Sequence, residues 1–519
     1  MENSKKISLT MSKNYWLALL AIVFGSLMVS LDSTIVSIAN PIIVRDMHAT
    51  EGQLQWITSG YLLSLGIFMI VAGKLGDRFG RKIIFTIGIV GFGLSSLAIG
   101  LSSSVVLFIA FRIIQGVFGA LISTNALALI RSVMPKEKLS AGIGIFSSVN
   151  GLTVAIGPII GGLIINYLNW NWAFYVNVFI GAISAVLALM LISETERFKE
   201  TKFDILGILT MSVFLGALSY GLISISEKGI HSSLVIGLLI VAAIFLILFI
   251  LVERKAKDPC IPLELFKNKS IIAGIVITVL FMFALQGTMF YVMLYTEQIQ
   301  GVTPLMSGIR LLPLGICLLV SAVISAPIIR FLRPRWALVI SILIMSVGLF
   351  LATFTTVHSS YAILGTSLGI LGFGLGIIIP ASTDALIGNA SVKQAGAASS
   401  LQNTSHEIGG LLGVSVLGVI MANSTTKNFH EYLVNGNIPS NIIDKISNSD
   451  IVTKTVTQGV APIINGASEQ INNVIKTATA NSFVAGMHSA MLVGTIICAL
   501  GAIVALMVNK DTPTDVEEE

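Results

Sequence analysis

Apolar residues dominate the chain in long runs, and short polar stretches separate one run from the next. A helix that crosses a bilayer needs about 20 mostly apolar residues. Fourteen runs of this kind can be marked along the 519 residues, which predicts an all-α polytopic membrane protein with 14 transmembrane helices. The predicted spans are 15–40, 53–73, 83–101, 105–130, 140–166, 172–193, 204–226, 232–252, 271–296, 304–326, 336–356, 360–380, 395–421 and 483–508.

The composition agrees with lipid as the solvent for most of the chain. Charged residues make up 11% of the sequence and apolar residues 55%, whereas a soluble globular protein carries about 25% charged residues. The net charge of +5 is spread over short basic clusters between the apolar runs, so it does not indicate a nucleic-acid surface. The first run follows Lys5, Lys6 and Lys13 and is longer than the apolar core of a cleavable signal, which predicts a retained signal anchor.

Lys and Arg residues in the short loops predict the orientation. Most of the 31 Lys and Arg residues fall in loops on the same side as the two termini. Cytoplasmic loops carry this excess of positive charge. We therefore expect a multi-pass protein of the cell (plasma) membrane with both termini in the cytoplasm.

Two similar stretches predict an internal repeat. KEKLSAGIGIFSSVNG (136–151) begins span five and ASVKQAGAASSLQNTS (390–405) begins span thirteen; both combine a basic residue, Ala-Gly and a small or polar helix start. Paired halves around a midplane site are typical of secondary transporters. The predicted organisation is a cytoplasmic N-terminus (1–14), a six-helix half (15–193), an inserted helix pair (204–252), a second six-helix half (271–508) and a cytoplasmic tail (509–519).

A long polar stretch interrupts the second half. Residues 422–482 are rich in Asn, Ser and Thr, with apolar residues at helical spacing in 459–478. We expect an extracellular, partly helical surface cap. A role in gating or in binding a partner is the alternative.

The first predicted cytoplasmic loop, GKLGDRFGRK (73–82), contains residues that can do more than hold the loop on the cytoplasmic side. Asp77 is expected to begin span three, where a helix N-terminus favours negative charge. Arg78 and Arg81 can pair with it, and the alternative is that these cations only hold the loop inside. Three glycines permit a tight turn between two spans, at Gly73, Gly76 and Gly80.

Span five contains GLTVAIGPIIGGL (151–163), which combines small residues with a proline. Small residues let neighbouring helices approach closely, and Pro158 removes a helical hydrogen bond and allows a bend. A closely packed helix that can bend suits a protein that rocks between an inward-facing and an outward-facing state. The glycines concerned are Gly151, Gly157, Gly161 and Gly162.

Four motifs together resemble one family. The loop 73–82 resembles the signature between helices two and three of the major facilitator superfamily, FRIIQGVFGA (111–120) its Arg-centred motif, and 151–163 the antiporter motif of its exporters. LDSTIVSIANP (31–41) is similar to the signature of the 14-helix drug/proton antiporters. The resemblance implies a major facilitator fold and proton-coupled efflux of lipophilic cations such as quaternary ammonium compounds and dyes.

Charged residues inside spans are the candidate coupling groups, because charge near the bilayer centre is costly. Asp32 lies about 13 Å and Arg112 about 11 Å from the outer ends of their spans at 1.5 Å per residue, so the two side chains can pair across a cavity. The alternative is a permanent structural ion pair. Glu407, on a small and polar face of span thirteen, is a second proton or cation site or a partner in interhelical hydrogen bonds.

These groups predict a mechanism. A carboxylate in a dry site favours its protonated form, and a nearby cation favours the ionised form. Asp32 can therefore carry a proton in one state and face a cationic substrate in another, with the proton motive force as the driver and no cofactor. Aromatic rings attract lipophilic cations, and the candidate cavity aromatics are Trp56, Tyr61, Phe283, Phe290 and Tyr291.

Other functions were weighed against this one. The chain has no nucleophile–base constellation, phosphate-binding glycine loop or metal-ligand spacing, so an enzyme is not expected. An exporter of an endogenous metabolite, lipid or peptide stays open because span ten contains no acidic residue, and a non-transporting receptor or scaffold is a third alternative. The expected partners are small lipophilic cations, protons and the bilayer, with no nucleic acid, and the expected state is a monomer.

Overall fold

The computed structural model describes residues 14–135, 138–195, 204–229, 232–256, 259, 261, 263–390, 395–436, 438, 439, 443, 456, 458–462 and 468–509. Within this part of the chain the regular structure is helical and contains no strand. Some side chains in these helices lie outside the described part, among them those of Pro158 and Glu407, although the backbone there is helical.

Fifteen α-helices follow one another along the described residues, and helix α9 and helix α13 each end in a π-helical turn (Tyr295–Ile299 and Asp384–Gly388). The helices are α1 (Tyr15–Met47), α2 (Glu51–Phe79), α3 (Arg81–Gly100), α4 (Val105–Val133), α5 (Leu139–Tyr167), α6 (Trp172–Leu191), α7 (Ile205–Lys228), α8 (Ser233–Lys255), α9 (Lys269–Leu294), α10 (Pro304–Arg310), α11 (Leu312–Val323), α12 (Ser325–Ala352), α13 (Tyr361–Thr383), α14 (Ala395–Asn435) and α15 (Glu469–Ala505).

Two bundles account for most of the packing. In the N-terminal bundle, α1 to α6, helix α4 packs against α2 and α3, and α1 packs against α5 and α6. In the C-terminal bundle, α9 to α15, helix α13 packs against α11 and α12, and α14 against α9 and α15. The bundles meet where α2 contacts α14 and where α5 contacts α10 and α11, while α7 and α8 form a pair whose first helix also contacts α2 and α14.

A helix, or for span ten the consecutive pair α10 and α11, lies at each of the 14 predicted positions. By length and hydropathy, however, 12 helical segments of the described residues can cross a membrane. Helix α2 adds a thirteenth if its two segments, bent by 46°, count as one span, and α5 is not among them. The fold class is therefore confirmed, whereas the exact number of 14 crossings is not.

Helices α14 and α15 are much longer than the predicted spans. They contain 41 and 37 residues, or about 60 and 55 Å at 1.5 Å per residue, against about 30 Å of hydrocarbon. Both ends of the predicted loop 422–482 are therefore helical, up to Asn435 and from Glu469. Their projecting ends enclose a small apolar cluster that includes Phe429, Leu433 and Ile475.

Two backbone turns, at Gly80 and at Arg333, have related conformations. Gly80, just before α3, has φ 104° and ψ 129°, and Arg333, before Pro334 in the kinked helix α12, has φ 66° and ψ 152°. Positive φ is uncommon for residues other than glycine. Both residues thus adopt positive φ, Gly80 between α2 and α3 and Arg333 at the kink of α12.

Candidate functional site

Asp32 of α1 and Arg112 of α4 form a buried ion pair. Their side chains are 0% and 1% exposed, and Nη1 of Arg112 lies 2.5 Å from Oδ2 of Asp32. Both residues face the interior of the N-terminal bundle, away from lipid. The structure therefore brings together the two charges whose depths in the membrane had suggested a contact.

Two amides complete the surroundings of the carboxylate. Oδ1 of Asp32 accepts hydrogen bonds from Nε2 of Gln115, at 3.0 Å, and from Nδ2 of Asn177 on α6, at 2.9 Å. Gln115 Nε2 also donates to the Ser96 hydroxyl on α3, at 2.7 Å. The carboxylate thus has a partner at each oxygen, as a charge buried in protein requires.

Arg112 is held by three further contacts. Its Nε donates to the carbonyl of Ile57 on α2 at 3.1 Å, and Nη1 also donates to Oε1 of Gln115 at 2.6 Å. Its guanidinium carbon lies 4.1 Å from the centre of the Tyr61 ring, within the range of a cation–π interaction. Five helices, α1 to α4 and α6, therefore contribute to one hydrogen-bonded network.

A small pocket lies between the two bundles next to this network. Arg112 and Tyr61 line it from the N-terminal bundle, and Gln286, Phe290 and Val414 line it from the C-terminal bundle. Asp32, the ion-pair partner of Arg112, is not among the residues that line the pocket. The remaining lining residues are Ser33, Val36, Thr58 and Leu62.

The predicted cavity aromatics separate into two groups. Tyr61 and Phe290 line the pocket. Trp56 instead packs against Tyr220 of α7, with ring centroids 5.7 Å apart, and Tyr291 donates its hydroxyl hydrogen to the carbonyl of Val414 at 3.0 Å. Phe283 is buried in the apolar core, where its backbone approaches Gly413 of α14.

In the loop motif 73–82, the carboxylate that caps α3 is not the predicted one. Asp77 lies in the last turn of α2 rather than at the start of α3, and it accepts a bond from Arg81 Nη2 at 2.6 Å. The N-terminus of α3 is capped instead by Glu194, just after α6, whose oxygens accept from the backbone N–H groups of Lys82 at 3.0 Å and Ile83 at 3.2 Å. The expectation for Asp77 is therefore wrong, because α2 continues as far as Phe79.

The glycines and Arg78 of this loop have distinct surroundings. Gly80 alone adopts positive φ, and a Cβ there would lie 2.4 Å from the Glu194 carboxyl carbon. Gly73 and Gly76 are helical members of α2 rather than turn residues. The guanidinium of Arg78 lies 5.5 Å from the ring centre of Phe79.

Helix α5 packs closely on α1 through two of its motif glycines. A Cβ at Gly157 would lie 2.1 Å from Oγ1 of Thr34, and one at Gly161 would lie 3.2 Å from Cα of Ile35. Gly162 is buried, and the helical backbone continues from Gly151 through position 158 to Tyr167. The side chain of Pro158 lies outside the described residues.

The second predicted coupling residue lies on α14. Glu407 belongs to α14, but its side chain lies outside the described residues. Nearby, Thr404 donates to the carbonyl of Gly66 on α2 at 3.3 Å, and Gly410 faces Gln286 and Leu62. This stretch of α14 therefore contributes to the contact between the bundles.

Sequence reasoning missed Ser96, Asn177 and Glu194. The first two are single small or polar residues in otherwise apolar spans, and the third follows a span end. No group of three or more His, Cys, Asp or Glu residues suited to a metal ion occurs among the described residues.

The sequence profile of the Major Facilitator Superfamily matches residues 22–414. The chain belongs to this superfamily. It is accordingly a multi-pass membrane transporter rather than an enzyme.

Relatives within the major facilitator superfamily extend over nearly the whole chain. The tetracenomycin C resistance and export protein of Streptomyces glaucescens is 36% identical over 503 residues, 96% of this chain and 93% of that protein. The multidrug transporter protein MdtP of Bacillus subtilis (strain 168) is 29% identical over 498 residues, 92% of this chain and 90% of that protein.

Solved structures agree on the fold. A bacterial homologue of the human lysosomal transporter Spinster, in an inward-facing and unoccupied conformation, superposes with a TM-score of 0.65 at 15% identity. The match covers 96% of this chain and 99% of that one. At this identity the likeness shows the fold alone.

Proposed function

We propose that this transporter exports lipophilic, cationic drugs or antiseptics in exchange for protons, and that Asp32 and Arg112 couple the two movements. The observation that carries the proposal is the buried Asp32–Arg112 pair behind an inter-bundle pocket. The names of the relatives, an antibiotic resistance and export protein and a multidrug transporter, support drugs as the substrate class.

The geometry suggests how one proton changes the affinity for a cation. With Asp32 ionised, the pair is neutral, and a lipophilic cation can enter the pocket beside Tyr61 and Phe290. A proton on Asp32 removes the counter-charge of Arg112, which lines the pocket and then repels the cation. Cargo and proton thus exclude each other electrostatically, although the cargo does not touch the carboxylate.

Alternating access completes the cycle. We take the N-terminal and C-terminal bundles as the two halves, and we propose that they rock about the contacts of α5 with α10 and α11 and the contact of α2 with α14. Facing outward, Asp32 takes a proton and the cation leaves; facing inward, the proton leaves and a new cation binds. Exchange of one proton for one monovalent cation moves no net charge and gains about 1.4 kcal/mol per unit of pH difference.

We also propose a location, an oligomeric state and an energy source for the protein. We place it as a monomer in the plasma membrane with both termini in the cytoplasm, since the loops on that side hold most of the Lys and Arg residues. The proton motive force alone drives it, without a cofactor. Glu407 remains a proposed second site, for a proton or for the cation.

Inverted membrane vesicles with an acidified lumen test the function. Ethidium or a quaternary ammonium compound is added outside, and lumenal proton release and dye uptake are recorded together. Wild type is expected to show both. Asp32→Asn is expected to show neither, because a neutral amide leaves Arg112 permanently uncompensated, while Asp384→Asn, the same change at the cytoplasmic end of α13, is expected to retain both.

The outcomes separate the parts of the proposal. Equal responses of wild type and Asp32→Asn would show that the coupling site is wrong. A wild-type protein that responds to no tested cation would show that the substrate class is wrong. Competition with uncharged lipids, peptides and metabolites then tests the exporter alternative.

A further inference from the structure

Two histidines lie within the spans of the C-terminal bundle, and their surroundings differ. His488 of α15 has its Nε2 2.6 Å from the carbonyl oxygen of Thr355. Nε2 of His406 on α14 is closed to solvent and has no hydrogen-bond partner in the described part of the chain. Its ring instead packs against Phe281 of α9, with centroids 5.3 Å apart at 72°. A buried side-chain polar atom normally has a hydrogen-bond partner, and Nε2 of His406 has none among the described residues.

A second polar group in the same seam also lacks a partner. The hydroxyl of Thr278 on α9 is buried and makes no hydrogen bond among the described residues. Thr278 precedes Phe281 by three positions, so the two share a helix face. An unsatisfied buried polar atom is unfavourable, and native proteins that keep one usually have a reason in function or bound water.

Few other titratable groups reach this level of the bundle. Helix α9 carries none between Lys269 and Tyr291, and α2 carries none between Tyr61 and Lys74. Helix α14 itself adds Glu407 between Ala395 and Ser424, and α7 adds Tyr220 between Asp204 and Glu227. Helix α15 adds His488 and Cys498 between Lys476 and Ala505, and the π-helical turn after α13 adds Asp384. None of these groups bonds Nε2 in the described part of the chain, so the imidazole can accept a proton without first breaking a hydrogen bond.

The neighbouring contact links His406 to the conformational cycle. Thr404, two residues earlier, donates to the carbonyl of Gly66 across the boundary between the bundles. When the bundles part, this bond breaks and water can approach the same stretch of α14. A charged imidazole is tolerated where water solvates it, and it is costly where the packed helices exclude water.

We propose that His406 carries a second proton in each transport cycle. When the bundles have parted, the lone pair of Nε2 accepts a proton from a hydronium ion, which leaves as water, and an N–H bond forms. After the bundles have rearranged, that N–H bond breaks and the proton passes to water that is open to the other side. Thr278 provides a hydroxyl for the water that delivers it. This inference rests on the proposed proton-coupled export and adds its stoichiometry.

A second proton makes the exchange electrogenic. Two protons exchanged for one monovalent cation carry one net charge across the membrane, whereas one proton carries none. One charge across 100 mV corresponds to about 2.3 kcal/mol, or roughly a 50-fold change in the limiting accumulation ratio at 1.36 kcal/mol per decade. A membrane potential without a pH difference should therefore drive accumulation of the cation.

Full-length protein in liposomes, with a potassium diffusion potential and ethidium as the probe, provides the test. Protein-free liposomes correct for passive dye entry. His406→Gln removes the titratable nitrogen, His406→Phe also keeps a ring against Phe281, and His488→Gln is the matched control. Wild type and His488→Gln are expected to respond to potential, and both His406 variants are expected to lose that response while keeping exchange driven by a pH difference.

Each contrary result identifies which claim is wrong, the role of His406 or the proposed function. A potential response that survives His406→Phe overturns the proposal, and if Glu407→Gln abolishes that response, the second proton belongs to the carboxylate. Exchange driven by pH but indifferent to potential in wild type also overturns it. Absence of pH-driven exchange in wild type would instead refute the proposed function on which this inference rests.

Discussion

Replacing Arg112 by Gln should destabilise the protein far more than replacing another arginine within a span. The substitution leaves the carboxylate of Asp32, which is 0% exposed, with only the amides of Gln115 and Asn177. Breaking a buried ion pair from one side costs about 3–5 kcal/mol, because the remaining charge is uncompensated. The variant Asp32→Asn with Arg112→Gln removes both charges and should recover most of that loss.

Unfolding by sodium dodecyl sulfate in mixed micelles, followed by the fluorescence of the five tryptophans, measures these free energies. Arg310→Gln is the matched control, because Arg310, the last residue of α10, bonds Gln300 and lies near the Tyr361 ring. We expect the double variant to be more stable than the sum of the two single effects predicts. Strictly additive effects, or an Arg112→Gln loss no larger than that of Arg310→Gln, would refute the reasoning.

Three further predictions concern close packing and the polar network. Gly157→Ala places a methyl group 2.1 Å from Thr34 Oγ1 and should cost about 1–3 kcal/mol in the same assay, with Thr34→Ala in the same chain reversing the loss. Gly80→Ala combines φ 104° with a contact of 2.4 Å to Glu194 and should cost about 1–3 kcal/mol, whereas Gly216→Ala, in open space on α7, should not destabilise. Gln115→Leu removes a bond to a buried charge worth about 1.5–3 kcal/mol and should lower proton-coupled uptake tenfold or more; unchanged uptake would show that this amide does not hold the carboxylate.

The sequence predicted those features that depend on position along one helix. The depths of Asp32 and Arg112 follow from counting residues along a regular span, and the structure has the two side chains in contact. Long apolar runs likewise predicted where helices lie, because in lipid a chain satisfies its backbone hydrogen bonds within the helix itself.

Features that depend on the packing of distant segments were not predictable in this way. Glu194 caps α3 across 112 positions of sequence, and Asn177 reaches Asp32 across 145; neither residue has a local pattern that indicates its partner. Hydropathy also ends a span where polarity rises, so it missed the polar helical extensions of α14 and α15, which pack on each other around Phe429 and Ile475.

The position of Arg112 at the pocket wall, with Asp32 behind it, determines the sign of coupling in the proposed mechanism. Protonation of Asp32 removes the attraction between its carboxylate and the bound cation. At a separation of about 8 Å, two unit charges interact with about 2 kcal/mol at an effective dielectric constant near 20, so protonation would weaken the binding of the cation about thirtyfold. The same proton would strengthen the binding of an anion by a similar factor. Cations are therefore exchanged against protons, whereas an anion would move with them in the same direction. Because proton entry is the downhill direction, only the cation case gives export, and this links the charge of the cargo to the direction of its transport.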